Sequence, residues 1–165
     1  DMIITLKNKD TLTFDDFYFK CCIGKNGTSE NKIEGDKKTP KGIFSLGNIY
    51  YRKDRVIKPE TKLRCIKINS KMGWCNDVLN KKKYNRLIKV KKNIKYEKMY
   101  RKDHKYNFVL PINYNKYKTI PNKGSAIFIH LTKNYKPTAG CIGLIEKDFL
   151  ILLKLINKQT KIKIN

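Results

Sequence analysis

Two residues in the stretch 130-HLTKNYKPTAGCIGL-144 have the chemistry of a cysteine nucleophile and its base. His130 ends an apolar run, and Cys141 begins the next one eleven positions later. A thiol is mostly protonated near neutral pH, and an imidazole beside it can take the proton to leave the nucleophilic thiolate. A strand ending at His130, a loop and a returning strand starting at Cys141 would bring the two side chains side by side.

Both residues also have a structural interpretation. A free cysteine often fills a core as a small apolar residue, and a buried histidine can simply be hydrogen-bonded there. Gly140 favours chemistry, because a glycine lets the backbone approach a substrate closely. The amides around Gly140 and Cys141 could then donate to a developing oxyanion, which contributes about 2.7–4 kcal/mol per donor in well-studied enzymes. From the spacing alone, both interpretations stay open.

Short apolar runs separated by Gly, Pro and Asn predict a mainly β fold around this pair. One helix is predicted over residues 147–157, where apolar residues recur at i, i+3, i+4 and i+7 from Phe149, and a weaker helical pattern covers residues 95–102. We therefore expect one domain, residues 1–165, in which one or two helices cover a mixed β-sheet. The predicted strands are residues 2–6, 17–23, 63–68, 106–112, 125–131, 141–145 and 161–164.

The chain is strongly basic, with 38 lysines and arginines against 14 aspartates and glutamates and a formal net charge of +24. Such a surface attracts nucleic acid, anionic membrane or an anionic polymer such as a cell wall. Lys, Asn, Ile and Tyr are abundant in the chain, as expected of a protein encoded by an AT-rich genome. We attribute most of the positive charge to this codon bias. The tract 81-KKKYNRLIKVKKNIKYEK-98 is the best candidate for a binding face, and a solvated surface is its alternative.

The cysteine pattern indicates reduced thiols. An odd count leaves at least one thiol free, no CxxC motif occurs, and His104 and His130 are the only histidines. The sequence therefore predicts neither a disulfide framework nor a metal site. The five cysteines are Cys21, Cys22, Cys65, Cys75 and Cys141.

No export or membrane segment is recognisable in the sequence. The opening residues, DMIITLKNKDTLTF, lack the charged start and long apolar core of a secretory signal. Such a signal was either removed or never present, and the residues leave both open. No apolar run reaches 18 residues, so no transmembrane helix is expected.

The order His130, Thr138, Gly140, Cys141 resembles the active-site motif of the L,D-transpeptidase catalytic domain, the YkuD-like family, which has an upstream His and then Ser/Thr-His-Gly-Cys. The segment 35-GDKKTPKGIF-44 is similar to the family's Gly-Asp-x-x-Thr-Pro-x-Gly. The chain also resembles an alphaproteobacterial branch of the family that includes 1,3-cross-linking enzymes. This resemblance lies in the runs 73-GWCND-77, 84-YNR-86, 100-YRKDHKYNFVL-110 and 124-GSAIFIHL-131.

Three departures from the family pattern concern the loop before Cys141 and the strand after it. Ala139 stands where the family has a second His, whose backbone carbonyl is thought to orient the catalytic imidazole, and a backbone role survives an alanine. Gly143 stands where many members carry Arg or Asn, and the gap from His130 to Cys141 is shorter than in most members. The last two departures concern the acceptor side of the site.

The resemblance implies a mixed β-sheet sandwich and a specific reaction. Cys141 would attack a carbonyl of a peptidoglycan stem peptide to give a thioester, with His130 taking the thiol proton. An amine of a second stem would then form a cross-link, whereas water would make the enzyme an L,D-carboxypeptidase. The resemblance also implies no metal or organic cofactor, acylation by carbapenem-type inhibitors, no specific nucleic acid partner, and a place in the cell envelope or periplasm.

Arg101 and Trp74 are candidate substrate-binding residues. Arginine binds carboxylates with two parallel hydrogen bonds, and stem peptides carry several carboxylates. Asp103 lies two positions from Arg101, so a plain ion pair is the alternative. Trp74 could form the wall of a substrate groove or pack in the core.

The remaining candidates lie in loops. Tyr114 and Asn115 precede a Pro/Gly loop and could edge the cleft. Thr138 could hydrogen-bond near the nucleophile or shape the turn. His104 is an alternative base that lacks the motif context.

Three functions compete. A cell-wall cysteine transpeptidase and a hydrolase that trims stems or splits cross-links (an L,D-carboxypeptidase or endopeptidase) use the same residues and differ only in the acceptor pocket. A non-catalytic basic module would bind nucleic acid or an anionic wall polymer, and this binding would weaken with salt and would not depend on Cys141.

Overall fold

The computed structural model describes residues 2–165, and strands dominate them. Because every strand is only two to five residues long, the sequence signals of the strands are brief. The elements in chain order are β1 (Ile3–Lys7), β2 (Thr11–Phe14), β3 (Phe17–Lys20), β4 (Thr28–Ser29), β5 (Thr39–Pro40), β6 (Gly42–Ser45), β7 (Ile49–Tyr51), β8 (Cys65–Lys67), β9 (Met72–Cys75), β10 (Leu87–Lys89), β11 (Tyr96–Lys98), β12 (Phe108–Pro111), β13 (Phe128–Leu131), β14 (Ile142–Leu144), α1 (Glu146–Leu155) and β15 (Lys161–Ile164).

The mainly β fold with a covering helix is confirmed. Each of the seven predicted strands contains or overlaps an observed one, and α1 occupies most of the predicted helix. The second predicted helix, residues 95–102, is wrong, because its first half is strand β11. The weak helical pattern there is overridden by an antiparallel ladder in which β11 pairs with β9.

Two five-stranded sheets and α1 enclose the larger core. One sheet has the strand order β3-β2-β1-β15-β6, and the other β14-β13-β12-β7-β8. Their inward residues form one apolar cluster with α1, whose Phe149, Leu152 and Leu153 are fully buried. Burial of these side chains fixes the helix directly after β14, and therefore fixes the segment that carries Cys141.

A second cluster lies on the opposite face of the β14-β13-β12-β7-β8 sheet, where the small sheet β10-β9-β11 covers it. Alternate residues of β13 take part in different clusters, as the two-residue period of a strand requires. Ile129 and Leu131 belong to the larger core, whereas Phe128 belongs to the second cluster. His130 therefore lies on the same face as Phe128, toward the small sheet.

Candidate active site

Strands β13 and β14 are parallel, not the antiparallel pair that a returning strand implies. Ile129 pairs with Ile142 and His130 with Gly143. The chain between the two strands must run back along the sheet before β14 begins, as every parallel connection does. Cys141, just before β14, then lies opposite Phe128. Cys141 and His130 are thus brought to one face of the same strand pair.

The Cys141 sulfur is held by two backbone groups of the β13 region. The Phe128 amide donates to Sγ at 3.3 Å, and the thiol donates to the Ala126 carbonyl at 3.2 Å. Ala126 has a positive φ of 55°, an unusual conformation for a residue with a side chain. The thiol is therefore fixed in direction by a segment of chain that is itself held in a special backbone shape.

The His130 ring lines the cavity, and its hydrogen bonding fixes the tautomer. Nδ1 lies 2.8 Å from the Leu131 carbonyl, which can only accept, so Nδ1 carries the proton. No group within residues 2–165 hydrogen-bonds Nε2. The ring packs against Tyr106, with centroids 5.6 Å apart, and the residue is 6% exposed. This arrangement suits a neutral base.

Burial keeps both groups uncharged at rest. Burial lowers the pKa of His130 to about 4, although the Leu131 carbonyl opposes the shift. Burial likewise raises the pKa of Cys141 to about 12; the Phe128 amide opposes this rise, and the charge of Glu97 adds to it. A neutral thiol and a neutral imidazole can react only if the proton moves as the sulfur attacks.

The loop before Cys141 has a fixed shape. Gly140 has a φ of 142°, and a Cβ on it would lie 3.0 Å from the Lys38 carbonyl, so glycine is required there. Thr138 Oγ1 accepts from the Gly140 amide at 3.0 Å and donates to the Cys141 carbonyl at 2.5 Å. Thr138 therefore shapes the turn, and the Gly140 amide expected to serve an oxyanion is engaged by its hydroxyl.

The segment that resembles Gly-Asp-x-x-Thr-Pro packs against this loop. Thr39 Oγ1 donates to the Gly140 carbonyl at 2.8 Å. Asp36 binds the Nζ of Lys32 at 2.8 Å, and Lys32 is only 3% exposed. A Cβ on Gly140 would lie 3.6 Å from that Nζ, so a buried positive charge stands beside the loop before Cys141.

Cys141 and His130 line the same cavity, which has a volume of about 690 Å³. Thr138 and Arg101 also line it. Most of the charged side chains around the cavity are basic, namely Lys32, Arg101, Lys105, Lys133 and Lys136, against the two carboxylates of Glu34 and Glu97. This charge suits an anionic substrate.

Arg101 forms the ion pair that was the alternative to substrate binding, and it also lines the cavity. Its guanidinium makes two hydrogen bonds to Asp103, from Nε at 2.9 Å and from Nη2 at 2.6 Å. It also lies over the Tyr106 ring, 4.9 Å from the centroid, and reaches the cavity wall. Asp103 thus holds the guanidinium in a position from which it can meet a ligand.

The other predicted binding residues do not line the cavity. Trp74 is 5% exposed and packs edge-on against Phe128, with centroids 5.1 Å apart. The Tyr114 ring packs against Phe44, and its hydroxyl donates to the Lys123 carbonyl. Asn115 closes a turn through hydrogen bonds with the Ile120 backbone and the Gly124 carbonyl.

One residue that the sequence did not single out joins these three. Asn85, 4% exposed, accepts from Trp74 Nε1 at 2.8 Å and from the Ala126 amide at 3.1 Å. Its Nδ2 donates to the carbonyls of Tyr114 and Asn115 at 2.9 and 2.8 Å. Asn85 therefore supports the Ala126 carbonyl that receives the Cys141 thiol. In the sequence, the only indication of Asn85 was its place in the run 84-YNR-86, which resembles the family.

His104, the alternative base, also reaches the cavity. Its Nε2 is buried without a hydrogen-bond partner in the described chain. Burial lowers the pKa of His104, and neighbouring lysines lower it further. Unlike His130, His104 does not share the strand pair of Cys141.

Tyr106 and Glu97 are two further cavity residues that the sequence did not indicate. Tyr106 is 5% exposed and donates to Glu97 Oε1 at 2.8 Å. Tyr106 lies in the run 100-YRKDHKYNFVL-110, but the resemblance gave neither residue a role, and the two come from β11 and from the loop before β12. Only the folded sheets bring them to the site.

Three observations on residues 2–165 concern disulfides, metal clusters and membrane-spanning helices. All five cysteines are free thiols. No group of three or more His, Cys, Asp or Glu side chains in this part of the chain is placed to hold a metal ion. In the same residues, no helix has the length and apolar character needed to cross a bilayer.

The mainly β sandwich thus places a partly buried thiol, Cys141, and a neutral imidazole, His130, on the wall of one cavity. The model of the YkuD family, the L,D-transpeptidase catalytic domain, matches residues 3–164. The chain therefore belongs to this family, whose members act on peptidoglycan and are generally associated with the cell wall. No curated protein and no solved structure matches the chain.

Proposed function

We propose that the protein is a peptidoglycan L,D-transpeptidase that uses Cys141 as nucleophile and His130 as base. The observation that carries the proposal is the position of the two side chains on one face of the β13–β14 pair, in the same cavity. The Leu131 carbonyl holds the proton on Nδ1, which leaves Nε2 free to receive the thiol proton. Family membership supplies the reaction class.

The first half-reaction acylates Cys141. The thiol proton leaves the Ala126 carbonyl and passes to His130 Nε2 as sulfur attacks the carbonyl of a stem peptide. The charge that develops on the carbonyl oxygen needs a donor. Because the Gly140 amide is engaged by Thr138, we assign this role to the Cys141 amide. Collapse of the intermediate breaks the peptide bond, and His130 gives its proton to the departing amine.

The second half-reaction transfers the acyl group. An amine attacks the thioester carbonyl, the carbon–sulfur bond breaks, and a proton returns to Cys141 through His130. The product is a cross-link. Water in place of the amine gives a trimmed stem, so the competition between amine and water decides between transpeptidase and carboxypeptidase.

Positive charge around the cavity supports an anionic donor. Stem peptides carry carboxylates, and Arg101 is held by Asp103 with its guanidinium at the cavity wall. Lys105 and Lys133 line the same cavity. We assign the carboxylates of the donor stem to these cations. A protein with this substrate acts in the cell envelope.

Acylation by a carbapenem tests the proposal. We expect the wild-type protein to gain the mass of one inhibitor molecule and the Cys141→Ala variant to gain none. Cys65→Ala is the matched control, since it removes a partly buried thiol away from the cavity, and it should still be acylated. Absence of an adduct on the wild-type protein would contradict the proposal and favour a non-catalytic basic module.

A muropeptide assay then separates the two enzyme activities. Disaccharide tetrapeptides are incubated with the protein, and the products are identified by mass. Cross-linked dimers are expected, whereas trimmed tripeptides alone would make the protein a carboxypeptidase.

A further inference from the structure

A carboxylate lies in the cavity beside the nucleophile, although it opposes the first half-reaction. Glu97 lines the cavity with Cys141 and His130, and its negative charge raises the pKa of the Cys141 thiol. A negative charge near a sulfur that must lose its proton as it attacks costs free energy. Glu97 therefore does not favour the acylation step.

The fold places Glu97 beside the cavity that holds the nucleophile. On β11, Glu97 pairs directly with Trp74 of β9, and paired residues project to the same face of a sheet. Trp74 packs onto Phe128 from that face. Phe128 lies opposite Cys141, so Glu97 lies on the face of the small sheet that is turned toward the Cys141 strand and the cavity.

One oxygen of Glu97 is held and the other is free. The Tyr106 hydroxyl donates to Oε1 at 2.8 Å, and Arg101 Nη1 lies 3.6 Å from the same oxygen, too far for a good hydrogen bond. No donor in residues 2–165 hydrogen-bonds Oε2. The Glu97 side chain is 33% exposed, so a ligand can reach it. The residue is thus oriented by Tyr106 while retaining an open acceptor.

Tyr106 also joins Glu97 to the base. Its ring packs against the His130 ring with centroids 5.6 Å apart, and its hydroxyl holds Glu97. Because Tyr106 is 5% exposed, it cannot move far. The distance between the carboxylate and the imidazole is therefore fixed by one buried side chain.

We propose that Glu97 is the acceptor-binding residue of this site, whose carboxylate holds the ammonium group of the incoming amine and takes its first proton. This inference rests on the proposed transpeptidase function and assigns its second half-reaction. A charge-assisted hydrogen bond from an ammonium to a carboxylate is stronger than one between neutral groups. The acceptor class is thus a primary amine that is cationic near neutral pH.

The step balances as follows. The ammonium gives one proton to Glu97 and becomes a neutral amine. Its nitrogen lone pair attacks the thioester carbonyl, the carbon–nitrogen bond forms, and the carbon–sulfur electron pair returns to Cys141. The second amine proton passes through His130 to the sulfur. Glu97 releases its proton to water, and the enzyme is restored.

A partition experiment tests the role of Glu97. Disaccharide tetrapeptide serves as donor, and the acyl group is offered either 1,3-diaminopropane, which is cationic near neutral pH, or hydroxylamine, which is neutral there. The ratio of amide to hydrolysed product is measured by mass at several nucleophile concentrations. This ratio is independent of the rate of acylation, so it reports the second half-reaction alone.

The Glu97→Gln variant keeps an oxygen for the Tyr106 hydroxyl and loses the charge. We expect the amide ratio with diaminopropane to fall roughly tenfold or more, while the ratio with hydroxylamine stays unchanged. Glu34→Gln is the matched control: Glu34 is the other cavity carboxylate and also accepts from a tyrosine, Tyr84, at 2.5 Å. Its ratio with either nucleophile should match that of the wild type.

Each other outcome overturns the assignment. An equal fall with both nucleophiles would mean that Glu97 supports the architecture of the site. An equal fall of the diaminopropane ratio in Glu34→Gln would mean that the total charge of the cavity, and not Glu97 itself, determines which nucleophile is preferred. A wild-type protein that forms neither amide nor hydrolysed product would refute the proposed function itself, a result distinct from a lost preference among amines.

Discussion

Thr39 Oγ1 donates a hydrogen bond of 2.8 Å to the carbonyl of Gly140, 101 residues later in the chain. The same hydroxyl accepts from the Gly24 amide at 2.9 Å, and Thr39 is fully buried. One side chain therefore connects β5 to the loop that carries the nucleophile. The backbone of that loop is held by the segment that resembles the second motif of the family.

The variant Thr39→Val tests whether the two hydrogen bonds of the Thr39 hydroxyl hold the loop before Cys141. The change keeps the shape and leaves the Gly140 carbonyl and the Gly24 amide buried without a partner. We expect the free energy of unfolding to fall by about 1–3 kcal/mol, measured by urea denaturation, and carbapenem acylation to slow. Thr39→Ser keeps the hydroxyl and should stay close to the wild type. Equal behaviour of the two variants would contradict the role.

Acylation should show little pH dependence near neutrality. The pKa of His130 is about 4, so the imidazole is already neutral above that value, and the pKa of Cys141 is about 12, so the thiol stays protonated. The reactive forms of both groups are then present between about pH 5.5 and 8.5, and the rate should be flat there.

The rate should decline only on the acid side, as pH falls toward about 4 and His130 gains its proton. The measurement is the rate of carbapenem adduct formation by intact mass across this range. A fall centred near pH 6.5, the ordinary histidine value, would show that the base is not buried as described.

Gly143 should resist the larger residues that the family places there. A Cβ on Gly143 would lie 2.6 Å from Cys22 Sγ and 3.2 Å from Thr132 Cβ. The Cys22 and Gly143 backbones hydrogen-bond to each other in both directions, at 3.1 and 2.9 Å, which prevents easy separation. Cys22 therefore fills the space that a side chain at Gly143 would need.

We expect Gly143→Ala to lower the free energy of unfolding by about 1–3 kcal/mol, because a tightly packed site has to shift. Adding Cys22→Ala should recover part of that loss. A double-mutant cycle from urea denaturation measures the coupling, and strictly additive effects would show that the two positions do not compete for space.

Asn85 should be the most sensitive polar residue near the site. Its side chain makes four hydrogen bonds, to Trp74, Ala126, Tyr114 and Asn115. Asn85→Ala leaves these buried and partly buried groups without partners and should cost about 2–4 kcal/mol of unfolding free energy.

The variant should also be acylated more slowly, because Ala126 holds the thiol. Asn93→Ala, at an exposed position, is the control and should change neither quantity. A stable, fully active Asn85→Ala protein would contradict the supporting role of the residue.

From the sequence alone, the candidate pair of Cys141 and His130 can be recognised, and the elements with strong local patterns can be predicted. His130, Thr138, Gly140 and Cys141 are close in the chain, so their order is a readable motif. Helix α1 has an apolar stripe of helical period that any helix-covered sheet would bury, and it forms where predicted. Residues 95–102 carry only a weak pattern, so pairing with β9 made them a strand.

The orientation of the pair and its surroundings, by contrast, depend on tertiary packing. The parallel register of β13 and β14 depends on a loop whose path no local pattern specifies. Thr39, Asn85 and Glu97 reach the site through contacts between sheets, and each is distant in sequence from Cys141. Such contacts depend on how whole strands pack, because burial is a property of the assembled core and not of any short run of residues.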